Sequence, residues 1–218
     1  MSIQKNSFSY AKELFHKKLA SLRHNFSSKS PILTKEEFLA ATSHLTKENA
    51  DKYYSAVLSC LVKYNITSKL RVAHFLAQVG HECMAFSTMA EAGYLSREKR
   101  KAYYLKTYGK RPSIIPNPHA DMDMWFFGRG AIQITHDFNY KSYSLEVGRN
   151  DILISPSIIE TEPQLALDVA GWYWDKHNLN VYADQDNLLT ITKKINGGTN
   201  GLENRADRLL IAKRVFGL

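Results

Sequence analysis

No stretch of this sequence stays apolar for the ~18 residues that a membrane-spanning helix needs. Cysteine is scarce: Cys60 and Cys83 are the two in 218 residues. That is too few for a disulfide framework, and neither stands in a CxxC or Cys/His spacing that would hold zinc. Both lie in apolar stretches, which reads as buried free thiols, with a single bridge between them as the alternative. Internal repeats and low-complexity tracts are missing as well. The first 26 residues carry a charge every few positions and lack the continuous apolar core of a secretory signal. Synthesis in a cytoplasm is therefore expected, and for action outside the cell something else must release the protein.

Hydrophobic residues make up 44% of the chain and charged residues 23%, an ordinary globular balance with length enough to bury a core. The formal charge is +8 and the isoelectric point about 9.3. Such a balance favours polyanionic partners through long-range attraction; nucleic acid, lipopolysaccharide and a teichoic-acid-bearing wall all qualify. Basic residues concentrate at Arg97, Lys99, Arg100, Lys101, Lys106, Lys110 and Arg111, interleaved with Tyr103, Tyr104 and Tyr108. That run suits nucleic acid or the wall of a sugar groove, although a solvated helix face also produces one.

Phe8, Ala11, Phe15, Leu19 and Leu22 recur at helical spacing among lysines and Arg23, the pattern of a basic amphipathic helix. It can pack on the rest of the chain or touch an anionic membrane surface transiently. Asn25–Pro31 reads as a linker, so residues 1–33 are set apart from a domain at 34–218. Thr34 with Glu37 forms a capping-box pattern, and Thr46 followed by Glu48 suits the next helix start. Over 69–87, Val72, Phe75, Leu76, Val79, Cys83 and Phe86 share one stripe, with Glu82 at its margin. A carboxyl at an apolar border is partly desolvated, which disfavours its charged form, as a general acid requires. Residues 93–111 predict one or two helices, and 112–127, with three prolines, a long ordered loop ending in aromatics. A small β element or irregular turn is expected around Phe126–Thr135. Helices follow at 163–177, 187–195 and 201–216, the last two parted by Asn196-Gly197-Gly198. The fold class is mainly α, with little or no sheet.

Glu82 and Glu91 stand nine residues apart across a helix end. Such a pair can face each other over a sugar, one protonating the leaving oxygen and the other activating water. Two glutamates at this spacing are weak evidence alone, since most such residues are surface carboxylates. Gly128 and Gly130 bracket Arg129, which lets the backbone turn tightly around an always-charged side chain; that arginine either organises the two carboxylates or makes an ordinary structural ion pair. Gln133, Asn139 and Asn196 have the amides that suit acetamido and hydroxyl groups, although Asn139 can be a cap and Asn196-Gly197-Gly198 simply a turn. His74 and His81 share a helix face beside Glu82 but lack the HExxH pattern and a third ligand, so supporting histidines are favoured over zinc. Trp125, Trp172 and Trp174 are candidates for stacking on sugar, the latter two more naturally core.

Three stretches together, RVAHFLAQVGHEC (71–83), FFGRGAIQITHDFNY (126–140) and INGGTNGLENR (195–205), resemble glycoside hydrolase family 19. This family holds chitinases and the lysozyme-like endolysins of bacteriophages. The resemblance is colinear over about 34–218 and implies a lysozyme-like, mainly helical fold with a deep cleft and no metal or organic cofactor. By the same resemblance Glu82 is the general acid, Glu91 the base, and Thr135 holds the catalytic water where many chitinases have serine. His81, Arg129, Gln133, Asn139, Tyr140 and Asn196 fall on substrate-binding positions. Arg205 and Arg208 both fit the family's C-terminal arginine, with Arg205 slightly favoured.

These implications predict an inverting, bacteriolytic endolysin acting on peptidoglycan. A chitinase and an envelope-targeting toxin are alternatives within the same chemistry, and a basic wall- or nucleic-acid-binding protein is the non-enzymatic one. The partner expected is a peptidoglycan or chitin-like polysaccharide rather than nucleic acid, bound by a monomer.

Overall fold

The structure is a computed structural model that describes residues 31–218; the amphipathic reading of residues 8–22 and most of the Asn25–Pro31 linker lie outside the described residues. Local signals account for the helix starts. Thr34 Oγ1 accepts from the Glu37 amide at 3.0 Å while Glu37 Oε2 accepts from the Thr34 amide at 2.8 Å. This complete capping box opens α1 (Lys35–Ala41). Thr46 caps α2 (Lys47–Lys63) through the Asn49 amide, and Ser68 caps α3 (Lys69–Glu82) through the Arg71 amide.

α3 is the central helix. Every residue from Val72 to Gly80 is buried, which fits a helix enclosed on all sides rather than one with a wet face. Its end differs from the expectation: the helix stops at Glu82, and the chain turns at once through Met84, Ala85 and Phe86, all with φ between 51° and 64°. The Ala85 amide returns to the Gly80 carbonyl at 2.8 Å and the Thr88 amide to that of Cys83 at 3.2 Å, tying off the last turn. Apolar periodicity ran through this turn because Cys83, Ala85 and Phe86 are buried. Phe86 packs edge-on against Phe38, with ring centroids 5.1 Å apart.

Beyond it come α4 (Arg97–Tyr108), a single 3-10 turn at Met122–Met124, α5 (Asp137–Val147), α6 (Asp151–Ile154) and α7 (Ile158–Thr161). The chain closes with α8 (Pro163–Lys176), α9 (Leu179–Asp184), α10 (Leu188–Asn196) and α11 (Leu202–Phe216). α11 packs chiefly on α3 and then on α1, while α2 pairs with α8. β structure among the described residues consists of isolated bridges linking Ala90, Arg129 and Ile134, the small element expected near 126–135. A second apolar cluster joins α4 to the loop after it: Tyr104, Ile114, Ile115, Met122, Trp125 and Phe127, with Ala90. Trp125 is fully buried there, its indole donating to the Asn117 carbonyl at 2.9 Å. It anchors the loop and does not present a face to sugar. Trp172 and Trp174 are core, and Cys60 and Cys83 are buried and free.

His74 is an ionisable group at the centre of this packing. It is fully buried, with Nε2 2.8 Å from Asp186 Oδ1 and Nδ1 without a partner. Lys213 binds the other oxygen of Asp186. Burial holds the His74 pKa below its ordinary value, with Asp186 opposing. As pH falls below the unfolded value of about 6.5, the unfolded chain takes up a proton that the folded chain refuses, so stability present above that pH is lost down to the depressed folded pKa. Thermal midpoints measured from about pH 8 to about pH 5 are expected to show wild type losing its advantage over His74→Gln as the solution is acidified. A constant gap across that range would refute the assignment.

Candidate active site

The sequence-predicted residues gather in two groups joined by residues 83–90. The first is built where α11 crosses the end of α3. His74, Gln78 and Glu82 follow one another at four-residue intervals, a polar file that runs through the apolar middle of the helix to its end. Arg205, fully buried on α11, reaches between two of them: Nη1 lies 2.5 Å from Gln78 Oε1 and Nη2 2.5 Å from Glu82 Oε1. Gln78 is buried too and passes its amide to Thr192 Oγ1 on α10 at 3.2 Å. The planar guanidinium is thus fixed at two points, and it fixes the carboxylate in turn. Arg208, the competing arginine, points elsewhere, donating to Asn204 Oδ1 and the Ser43 carbonyl, both at 2.9 Å.

His81 is half-buried, with Nδ1 2.8 Å from Asn204 Oδ1. Gly201 makes room for it: a Cβ there would sit 2.3 Å from the imidazole, and the backbone is left-handed at φ 71°. Both histidines therefore have protein partners, as the supporting role requires. Asn196 is exposed at the end of α10. Nearby, the Tyr173 hydroxyl donates to the Lys194 carbonyl at 2.9 Å. Its pKa is raised by burial and then by the charge of Glu82.

The second group surrounds Glu91. Its amide donates to the Gly128 carbonyl at 2.9 Å, seating it against the 126–135 turn. Its carboxylate takes two phenols on a single oxygen: Tyr108 donates to Oε1 at 2.7 Å and Tyr103 at 2.9 Å. Tyr104, between them on the chain, donates to the Glu91 carbonyl. Burial first, and the Glu91 carboxylate second, raise the pKa of both Tyr103 and Tyr108, so the phenols stay protonated and remain donors. Gln133 lies on the other side of Gly128, where a Cβ would sit 3.0 Å from Gln133 Oε1 and 3.4 Å from Glu91 Cβ. Thr135 donates to the Gln133 carbonyl at 3.0 Å, and Asn139 to the Thr135 carbonyl at 2.8 Å. Non-glycine residues with left-handed backbone cluster here as well, at Ala92, Gln133 and His136, the kind of strain that binding sites accumulate.

Arg129 and Tyr140 belong under this turn rather than in it. Both are fully buried. Arg129 donates to the carbonyls of Trp125, Met122 and Asp123, lies 3.6 Å from Glu160 Oε2 and covers the Phe127 ring. The Tyr140 hydroxyl donates to the Phe127 carbonyl at 2.6 Å. The substrate contact expected of these two therefore gives way to support of the turn, and the carboxylate partner of Arg129 is Glu160, not Glu82 or Glu91. Gly130 completes the turn with φ 76°, where a Cβ would approach Val169 Cγ1 to 2.5 Å.

The sequence did not mark Gln78, and it offered Tyr103 and Tyr108 only as part of a run suited to a sugar groove or to nucleic acid. A lone amide four residues before Glu82 on an apolar stripe was the available signal for the first. Nothing in the sequence singled out which of three tyrosines would face Glu91.

Two carboxylates held differently, one at a helix end and one in the turn that follows, are the kind of pair that glycoside hydrolysis uses as acid and base. Among solved structures, chitinase C of Streptomyces griseus superposes with a TM-score of 0.65 at 20% identity, covering 88% of this chain and 95% of that one. A class IV chitinase of Zea mays gives 0.60 at 21%, with 86% and 92% covered. At that identity the likeness is one of fold. In sequence, the family 19 glycoside hydrolase model, described as class I chitinase, matches residues 11–190. The chain belongs to this family. The match reaches upstream of residue 34, where the three-stretch resemblance began, and stops short of 195–205. A family 19 domain-containing protein of Haemophilus influenzae is 31% identical over 172 residues, spanning 70% of this chain and 83% of that protein. An endochitinase of Arabidopsis thaliana is 30% identical over 166 residues, and the matched region spans 76% of this chain but only 47% of the plant protein.

Proposed function

We propose that this glycoside hydrolase cleaves β-1,4 bonds between N-acetylated amino sugars with inversion, Glu82 serving as general acid and Glu91 as general base. The observation that carries the assignment is the asymmetric holding of the two carboxylates. Arg205 occupies Oε1 of Glu82, leaving Oε2 to deliver a proton to the glycosidic oxygen as its bond to C1 breaks. Two phenols occupy Oε1 of Glu91, leaving Oε2 to take a proton from the water whose oxygen bonds C1. The carboxyls exchange protonation states in the step, and solvent resets them. Thr135 spends its proton on the Gln133 carbonyl, so its oxygen can accept from that water. Gln133, Asn139, Asn196 and His81 supply polar contacts to the sugars.

A chitin-type backbone is supported by the endochitinase among the relatives. The +8 charge favours a second reading, a peptidoglycan-cleaving endolysin, because the wall and its appendages are anionic. Incubating the full chain with chitin oligomers and with peptidoglycan, counting new reducing ends on each and following the fresh anomer by NMR, tests both. The α-anomer is expected first from β-linked substrate. Initial formation of the β-anomer would remove the water-activating role of Glu91.

A further inference from the structure

The basic run from Arg97 to Arg111, on α4 and just past its end, has a distribution that its sequence did not reveal. Four of its seven cations have partners. Arg97 is paired with Asp121 and Asp123 and Arg100 with Glu160, while Lys101 lies over Trp125 and Arg111 over Tyr108. Lys99, Lys106 and Lys110 are exposed and have no carboxylate within salt-bridge distance among the described residues. At about 100° per residue, Lys99 and Lys106 fall within roughly 60° of Tyr103 around the axis of α4, and Lys110 follows two residues beyond the end of that helix. Tyr103 is the residue on that face whose hydroxyl holds Glu91. Lys99 and Lys106 therefore share the face of α4 that adjoins the site at Glu91, with Lys110 just past the helix end, while Glu98, the one acidic residue of the helix, lies on the far side of the axis.

We infer that Lys99, Lys106 and Lys110 bind carboxylates displayed along the substrate, so that the enzyme selects an amino-sugar strand bearing acidic substituents over a neutral one. Lys99 and Lys106 stand seven residues apart, about 10 Å along the helix, with Lys110 beyond its end, a spread that meets separate substituents along a strand rather than one compact anion. Ammonium groups on flexible stems suit carboxylates that vary in position. Their attraction acts on capture, so it appears in kcat/KM and is screened by salt.

This rests on the hydrolase reading above, and the experiment separates the two. The full chain and the triple variant Lys99→Gln/Lys106→Gln/Lys110→Gln, shown by circular dichroism to share the wild-type fold, are assayed at low and high salt. The substrates are a neutral chitin hexamer, soluble peptidoglycan strands with free carboxylates, and the same strands with those carboxylates amidated. Wild type is expected to favour the free-carboxylate strands over the amidated ones by about tenfold in kcat/KM at low salt, less at high salt. The variant should lose that preference while its rate on the hexamer stays within about twofold. An unchanged preference in the variant, or equal losses on all three substrates, would overturn the inference. So would stronger inhibition of wild type by short duplex DNA than by the uncut strands, which would reassign the three lysines to nucleic acid. If wild type cut none of the glycans, the hydrolase reading would fall first and this one with it. Cleavage of the hexamer without any carboxylate preference would remove this inference alone.

Discussion

Glu82→Gln is expected to cut kcat by a factor of about 10³ or more while the protein stays folded at the assay temperature, its unfolding midpoint lowered because buried Arg205 then lacks its carboxylate. Removing a positioned general acid commonly costs 10²–10⁴ in rate. The amide retains an oxygen to accept from Arg205, so the contact between α3 and α11 survives in shape. What disappears is the proton at Oε2, and with it assistance to the leaving oxygen. The measurement is single-substrate kinetics on a chitin hexamer beside a thermal melt. A variant that is folded at the assay temperature yet turns over within a few-fold of wild type would show that the proton comes from elsewhere.

Arg205→Met should be the most damaging change to stability in this region. Arg205 is fully buried and its partner Glu82 is 16% exposed; deleting one member of such a pair leaves a poorly compensated charge and typically costs about 3–5 kcal/mol. Here Gln78 loses its partner as well. Urea unfolding of the single variants and of Arg205→Met/Glu82→Gln provides the check. The double variant is expected to recover about 1 kcal/mol or more relative to the sum of the singles, because the stranded charge is then gone. Strict additivity would mean that the two groups do not depend on one another. The kinetic consequence runs in parallel: with the guanidinium absent, Glu82 loses the contact that orients it.

Much of this scaffold was legible in the sequence because local rules and tertiary packing agree in it. Capping at Thr34 and Thr46, the apolar stripe of α3 and the Gly197 break between α10 and α11 each have a short-range cause. The failures are where long-range contacts decide. Periodicity carried α3 on to residue 87, since side chains stay buried through a turn whose backbone has already left the helical region. Trp125 looked available to sugar because exposure is not a local property, and the residues that cover it come from α4 and from the loop around Ile114 and Ile115. Arg129 was placed near a carboxylate correctly in kind, but its partner Glu160 is 31 residues away in a part of the chain with no strong pattern. The helix at Leu179–Asp184 and the short ones between 151 and 161 are too brief for periodicity to declare.

The turn after Glu82 also governs how the interval between the two carboxylates can change length. Upstream, Ala85 is bonded to Gly80 and the ring of Phe86 is seated against Phe38 and Tyr53. Downstream, Glu91 is stitched to Gly128 and Gly130 to Met89. Extra residues added before Phe86 or at Met89–Glu91 would rotate one carboxylate out of place. Ser87 and Thr88 between them are tied as well, Ser87 back to Met84 and Thr88 to both Cys83 and Ala90, so the whole interval acts as a rigid spacer that an added residue anywhere would disturb.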